Sequence, residues 1–139
     1  MATPPDRGDV DVLLRLLELY LSEPVAAARA FMRTIPDGRT FAELREQHPP
    51  GSIGHRQIDT VMIFWETAGS LIKHGLLSED LAFDTFLDAP PWPKMEAAIR
   101  SLREERDNPL EGENIEYAHH RAVAWVAARK ASGPNDPRT

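Results

Sequence analysis

Glu66 lies within Phe64-Trp65-Glu66-Thr67-Ala68-Gly69, a carboxylate inside a largely apolar helical run. A carboxylate in such a setting can serve as a general base or a metal ligand, provided another element brings a second ionisable group to it. The second group of chemistry-bearing residues is Glu113, Glu116, Tyr117, His119 and His120. Glu116-Tyr117-Ala118-His119 has the Glu-x-x-His spacing of di-iron carboxylate bundles, but those need two such motifs and two further carboxylates. The chain has one. His119 and His120 are adjacent, so they stand about 100° apart on a helix and do not readily share a metal. A lone histidine supplies too few ligands for a protein-only metal site. The expected roles are therefore a core histidine for His119 and an i, i+4 partner of Glu116 for His120. His55 and Asp59, also at i, i+4, are read as decoration of a helix start. Gly51-Ser52-Ile53-Gly54 lacks the Lys-Ser/Thr of a phosphate loop, and neither a zincin motif nor a nucleophile elbow is present. No catalytic residue, metal or cofactor is expected. The alternative is a small-ligand or metal pocket between the long helix and the last helix, lined by Glu66, Glu116, Tyr117 and His119.

The elements that carry these residues read as helices throughout. Residues 1–8 are Pro-rich and are expected to be flexible. Asp9 reads as the N-cap of a first helix with Val10, Leu13, Leu14, Leu17 and Leu21 as its apolar stripe. Pro24 suits the first turn of a second helix. Thr40-Phe41-Ala42-Glu43 has the form of a capping box, and His48-Pro49-Pro50-Gly51 stops the helix it opens. A long helix is predicted from Ser52 to His74, ended by Gly75, and Ser78 caps a short one after it. Ala89-Pro90-Pro91 breaks the pattern. The next helix shows Trp92, Met95, Ile99 and Leu102 on one face, with Glu96, Arg100 and Glu104 on the other, and Asp107-Asn108-Pro109 ends it. The last helix spans about Glu113 to Ala131, and residues 132–139 read as a disordered tail. No segment alternates with period two. The fold class is therefore all-α, a single-domain bundle (residues 9–131) of about six to seven helices around the long one.

On the long helix, Glu66 falls in a polar stripe with Asp59, Ser70 and Lys73, and reads as solvated or salt-bridged. Ile58, Val61, Phe64, Trp65, Ala68, Leu71, Ile72 and Leu76 fill a broad apolar arc, so this helix is expected at the centre. A mid-helix glycine costs about 1 kcal/mol against alanine. Gly69 is best explained by close approach of another helix, with Ala118 and Ala122 as small partners. Trp65, Trp92 and Trp125 read as core.

The totals exclude several functions. The chain has 139 residues, a net charge of −6 and no cysteine. The charge disfavours nucleic-acid binding, which depends on neutralising phosphates. The lack of cysteine excludes disulfides and thiolate sites and suits a cytoplasmic setting. The longest good apolar run, Val61 to Trp65, is far below the roughly 18 residues of a membrane span.

The run from Phe64 to Asp80 resembles the central signature of a bacterial family known only as a domain of unknown function: aromatic-Glu-x-x-Gly-x-Leu-aliphatic-x-x-Gly-aliphatic-aliphatic-x-Glu-Asp/Glu. Ser22-Glu23-Pro24, Thr40-Phe41-Ala42-Glu43-Leu44 and Glu113-Asn114-Ile115-Glu116-Tyr117 extend the resemblance over roughly residues 16 to 128. It implies an all-helical domain and no catalytic residue. Many members carry a hydrophobic membrane segment before the domain. The opening MATPPDRGDVDVLLRLLELYL is too short and too charged for one, so this chain is expected to be a soluble version. The expected function is a non-enzymatic protein–protein interaction module, a homodimer by default because closed twofold assemblies are commonest.

Overall fold

The computed structural model describes residues 4–86 and 90–133. Seven helices and no strands occur among them: α1 (Arg7–Leu21), α2 (Glu23–Met32), α3 (Phe41–Gln47), α4 (Ile53–Lys73), α5 (Glu79–Thr85), α6 (Trp92–Glu105) and α7 (Glu113–Ser132). The fold is all-α, as the periodicity predicts. Residues 1–3 and 134–139, parts of the two predicted loose ends, lie outside the described residues, as does Ala89 of the Ala-Pro-Pro break; Arg7 and Gly8 already belong to α1 and Ser132 to α7.

Helix α4 is the centre. It lies between α2 and α7, its two most extensive neighbours, while α3 packs on α6, α5 on α7, and α1 on α2 and α5. The buried face of α4 is Val61, Phe64, Trp65, Ala68, Gly69 and Ile72, the i, i+3, i+4 pattern of a helix sunk in a core. Phe64 and Trp65 join Phe86, and Phe64 and Phe86 join Tyr20, in edge-on or tilted ring contacts with centroids 4.9–6.2 Å apart. Such geometry suits the quadrupole of aromatic rings. Ser52 caps the start through the His55 N–H. At the end Gly75 adopts φ +73. The Leu76 N–H donates to Leu71 O and the Gly75 N–H to Ile72 O, a Schellman closure. Leu76 lies beyond this turn and is 59% exposed, so it does not join the apolar arc where the wheel put it. Leu77, one residue on, is buried instead.

Two further expectations change. The first helix is capped by Asp6, not Asp9. Asp6 accepts from the Asp9 N–H and Asp9 accepts from the Asp6 N–H, so Asp9 is the third helical residue of a reciprocal box. The buried face of α1 is Leu13 and Leu16, with Val12, Leu17 and Tyr20 partly covered. Val10, Leu14 and Leu21 of the predicted stripe are 43%, 56% and 65% exposed. The charged residues Arg7, Asp11, Arg15 and Glu18 share one stripe of α1, and Leu13, Leu16 and Tyr20 lie opposite it; the predicted row of Val10, Leu14 and Leu21 falls at the edge of the apolar arc, beside the charges.

The other ends follow the sequence. Pro24 lies in the first turn of α2, Thr40 accepts from the Glu43 N–H, Ser78 accepts from the Leu81 N–H, and His48 closes α3. Trp92, Met95 and Ile99 are buried on α6. Arg100 pairs with Glu96 at 2.8 Å and also turns towards Glu116 at 3.8 Å.

Candidate functional site

The chemistry-bearing residues meet where α7 begins. Gly112 is the N-cap of α7, at φ +66, with the Ile99 side chain so close that a Cβ there would lie 3.0 Å from its Cδ1. A glycine N-cap has no side-chain oxygen, so it leaves the first-turn N–H groups without an acceptor from the cap. Glu66 supplies one from across the bundle: its Oε1 accepts from the Ile115 N–H at 2.9 Å. Glu66 is thus half-buried and makes no ion pair among the described residues. Its partner is a backbone amide 49 residues away, and its negative charge faces the positive end of the α7 dipole.

Gly69, one turn further along α4, serves the same junction. A Cβ at Gly69 would lie 2.8 Å from Asn114 C and overlap the Asn114 carbonyl oxygen. The first turn of α7 therefore rests directly on the α4 backbone. The expected small partners, Ala118 and Ala122, are buried on α7, but the atoms nearest Gly69 belong to Asn114. The Glu-x-x-Gly spacing on α4 places a cap and a gap one turn apart for one incoming helix.

Glu116 is held differently. Its Oε1 accepts from Arg103 at 2.7 Å, and its Oε2 lies 3.8 Å from Arg100 and 3.7 Å from His120. Burial opposes its charge, but Arg103, Arg100 and His120 together hold its carboxyl below the usual range. Arg103 also donates to Glu111 O at 2.8 Å, fastening the end of α6 to the start of α7. Sequence reading did not single out Arg103. Its partner is on another helix, and no spacing rule links them. Tyr117 is partly buried against the core. Trp65 and Trp92 are buried, whereas Trp125 is partly covered and donates to Asp80 at 2.9 Å. His55 lies 3.5 Å from Asp59 and 3.3 Å from His48 O.

The four residues of the candidate pocket do not face one space. Glu66 lines a cavity of about 550 Å³ bounded by α3, α4, α6 and the turn before α7. His119 lines another, of about 530 Å³, bounded by α2, α4 and the start of α6. Glu116 and Tyr117 line neither. Among the described residues no group of three or more His, Asp or Glu side chains could hold a metal ion.

His119 is half-buried, with its ring 6.4 Å from the Trp92 ring and 5.5 Å from that of His120. Its Nδ1 is buried and has no hydrogen-bond partner. On the same helix Ile115 is buried and Val123 is 54% exposed. Burial, and then the nearby His120, lower its pKa from the ordinary 6.5, against a weaker upward pull from Glu96 and Glu116. The folded state thus takes up this proton at lower pH than the unfolded chain. The contribution is fully present above about pH 6.5 and is lost as pH falls from there through the folded pKa. In urea unfolding across that window, His119→Leu is expected to flatten the acid-side fall in stability relative to the wild type. His120→Ala, which removes the second cause, is expected to weaken it in part. An unchanged profile in His119→Leu would show that other groups set it.

No helix among the described residues is long and apolar enough to cross a membrane. No curated protein and no solved structure matches the chain. A family model does match, over residues 14–122, a span that holds the Glu66–Gly69 platform and the α7 turn seated on it. The chain therefore belongs to the DUF4760 family of domains of unknown function.

Proposed function

We propose that this domain is a non-enzymatic self-association module, whose outward α1 face pairs with α1 of a second copy. The observation that supports this reading is the row Val10, Leu14, Leu17 and Leu21. Its 4-3-4 spacing is that of a coiled-coil seam. Val10, Leu14 and Leu21 are largely exposed and Leu17 is half-covered. A second helix with the same spacing is the natural complement of such a seam, and a twofold axis supplies it without another gene product. Two heptads are too few for a free-standing coiled coil. Here α1 is already folded by packing on α2 and α5, so association need not order it. The two carboxylates in which chemistry would reside, Glu66 and Glu116, are both committed to holding α7. The cysteine-free sequence is in keeping with a cytoplasmic module.

Light scattering on a sizing column at micromolar concentration is expected to give twice the 15.6 kDa of one chain. Leu14→Glu combined with Leu21→Glu, both on exposed positions, is expected to give a folded monomer. A wild-type monomer across a concentration series would overturn self-pairing. A dimer that survives the double substitution would move the interface away from α1.

A further inference from the structure

The cavity between α2, α4 and the start of α6 has an uneven charge for a chain of net −6. Arg29, Arg33 and Lys94 line it with His119, against one carboxylate, Asp37. Arg29 and Arg33 are four residues apart on consecutive turns at the end of α2, so they share a side. Each cation has donors left over. Arg29 lies 3.7 Å over the Tyr20 ring and donates one NH2 to Tyr20 O at 3.2 Å, which fixes the guanidinium, yet its buried Nε has no partner. Lys94 donates to Ile35 O at 2.7 Å and lies 3.4 Å from Asp37, with a third proton to spare. Arg33 is exposed and makes no ion pair among the described residues.

Buried polar atoms without partners are uncommon, and each calls for an explanation. Three side-chain atoms of this kind occur among the described residues, and two of them, Arg29 Nε and His119 Nδ1, belong to residues lining this one cavity. The start of α6 borders it too, but the Trp92 N–H already donates to Pro90 O and Pro93 has none, so this end adds its dipole and not a set of free amides. The remaining wall is apolar, with Trp65, Val61 and Met32. The volume of about 530 Å³ is in the range that holds a small organic ligand.

We infer that this cavity binds a small organic anion, with one phosphate or carboxylate held by Arg29, Arg33 and Lys94 and an apolar body against Pro91 and Pro93, above the buried floor of Trp65. The charged group sits at the cationic mouth, where guanidinium groups and an ammonium can donate to it together. The apolar wall favours an aryl or alkyl body over a bare inorganic ion. The site is separate from the α1 stripe, so it stands or falls independently of self-association.

The test is calorimetric titration of the full chain at low ionic strength with phenyl phosphate, benzoate, inorganic phosphate and phenol. Phenyl phosphate and benzoate are expected to bind saturably, inorganic phosphate more weakly, and phenol more weakly still. Arg33→Glu reverses an exposed, unpaired charge and leaves the core intact. It is expected to weaken phenyl phosphate binding at least about tenfold, equivalent to about 1.4 kcal/mol. Lys94→Gln is expected to weaken it as well, while Arg45→Gln, on the other cavity, leaves it unchanged. Circular dichroism and melting confirm that each variant is folded. No saturable binding, equal binding of phenol and phenyl phosphate, equal binding of inorganic phosphate and phenyl phosphate, or undiminished binding in folded Arg33→Glu would each overturn the proposal.

Discussion

Gly69→Ala is expected to destabilise the domain, although alanine is the better helix former by about 1 kcal/mol. The reason is what a methyl group meets. At Gly69 a Cβ would overlap the Asn114 carbonyl and lie 2.8 Å from Asn114 C. These are backbone atoms in the first turn of α7, and they cannot rotate aside as a side-chain tip can. Relief requires α7 to move off α4, which loosens the packing of the two helices and lengthens the Glu66–Ile115 bond. Overpacking of this kind costs about 1–3 kcal/mol, and that should outweigh the propensity gain. Gly69→Leu should cost more. Urea unfolding measures both. A Gly69→Ala protein as stable as the wild type, or more stable, would mean that α7 does not rest on α4 at this point.

The second large effect is expected at Glu66, and there the order of two variants carries the information. Glu66→Ala removes the acceptor for the Ile115 N–H and leaves that amide partly buried without a partner. The loss should be about 1–2 kcal/mol, the range of an N-cap deletion. Glu66→Gln keeps an oxygen that can accept the same bond and loses only the charge facing the α7 dipole, worth about 0.3–1 kcal/mol. Glutamine should therefore fall between wild type and alanine. Hydrogen exchange at the Ile115 amide should speed up in Glu66→Ala. Because Glu66 and Gly69 seat the same turn, Glu66→Ala and Gly69→Ala together should cost less than the sum of the two. Equal losses for glutamine and alanine, or strict additivity, would place the role of Glu66 elsewhere.

The sequence by itself determined the helices, because helix signals are local. Thr40, Ser52 and Ser78 cap the helices that follow them, and Gly75 ends α4. The period of Val61, Phe64, Trp65, Ala68 and Ile72 identified α4 as the central helix, and the propensity cost of Gly69 was enough to announce a close neighbour. The partners of charged groups were not legible where they lie on other helices. Glu66 answers an amide 49 residues away, and Glu116 answers Arg103 across a helix boundary. A helical wheel records which side of its own helix a residue occupies, not what arrives there. On α1 the apolar arc opposite the charged stripe of Arg7, Asp11, Arg15 and Glu18 is too broad to be covered whole. Packing on α2 and α5 decided that Leu13 and Leu16 go inward and that Val10, Leu14 and Leu21 face solvent. The separation of Glu66 and His119 into different cavities, and the gathering of Arg29, Arg33 and Lys94 around one of them, were likewise decided by the tertiary structure, because they depend on how α2, α4 and α6 cross.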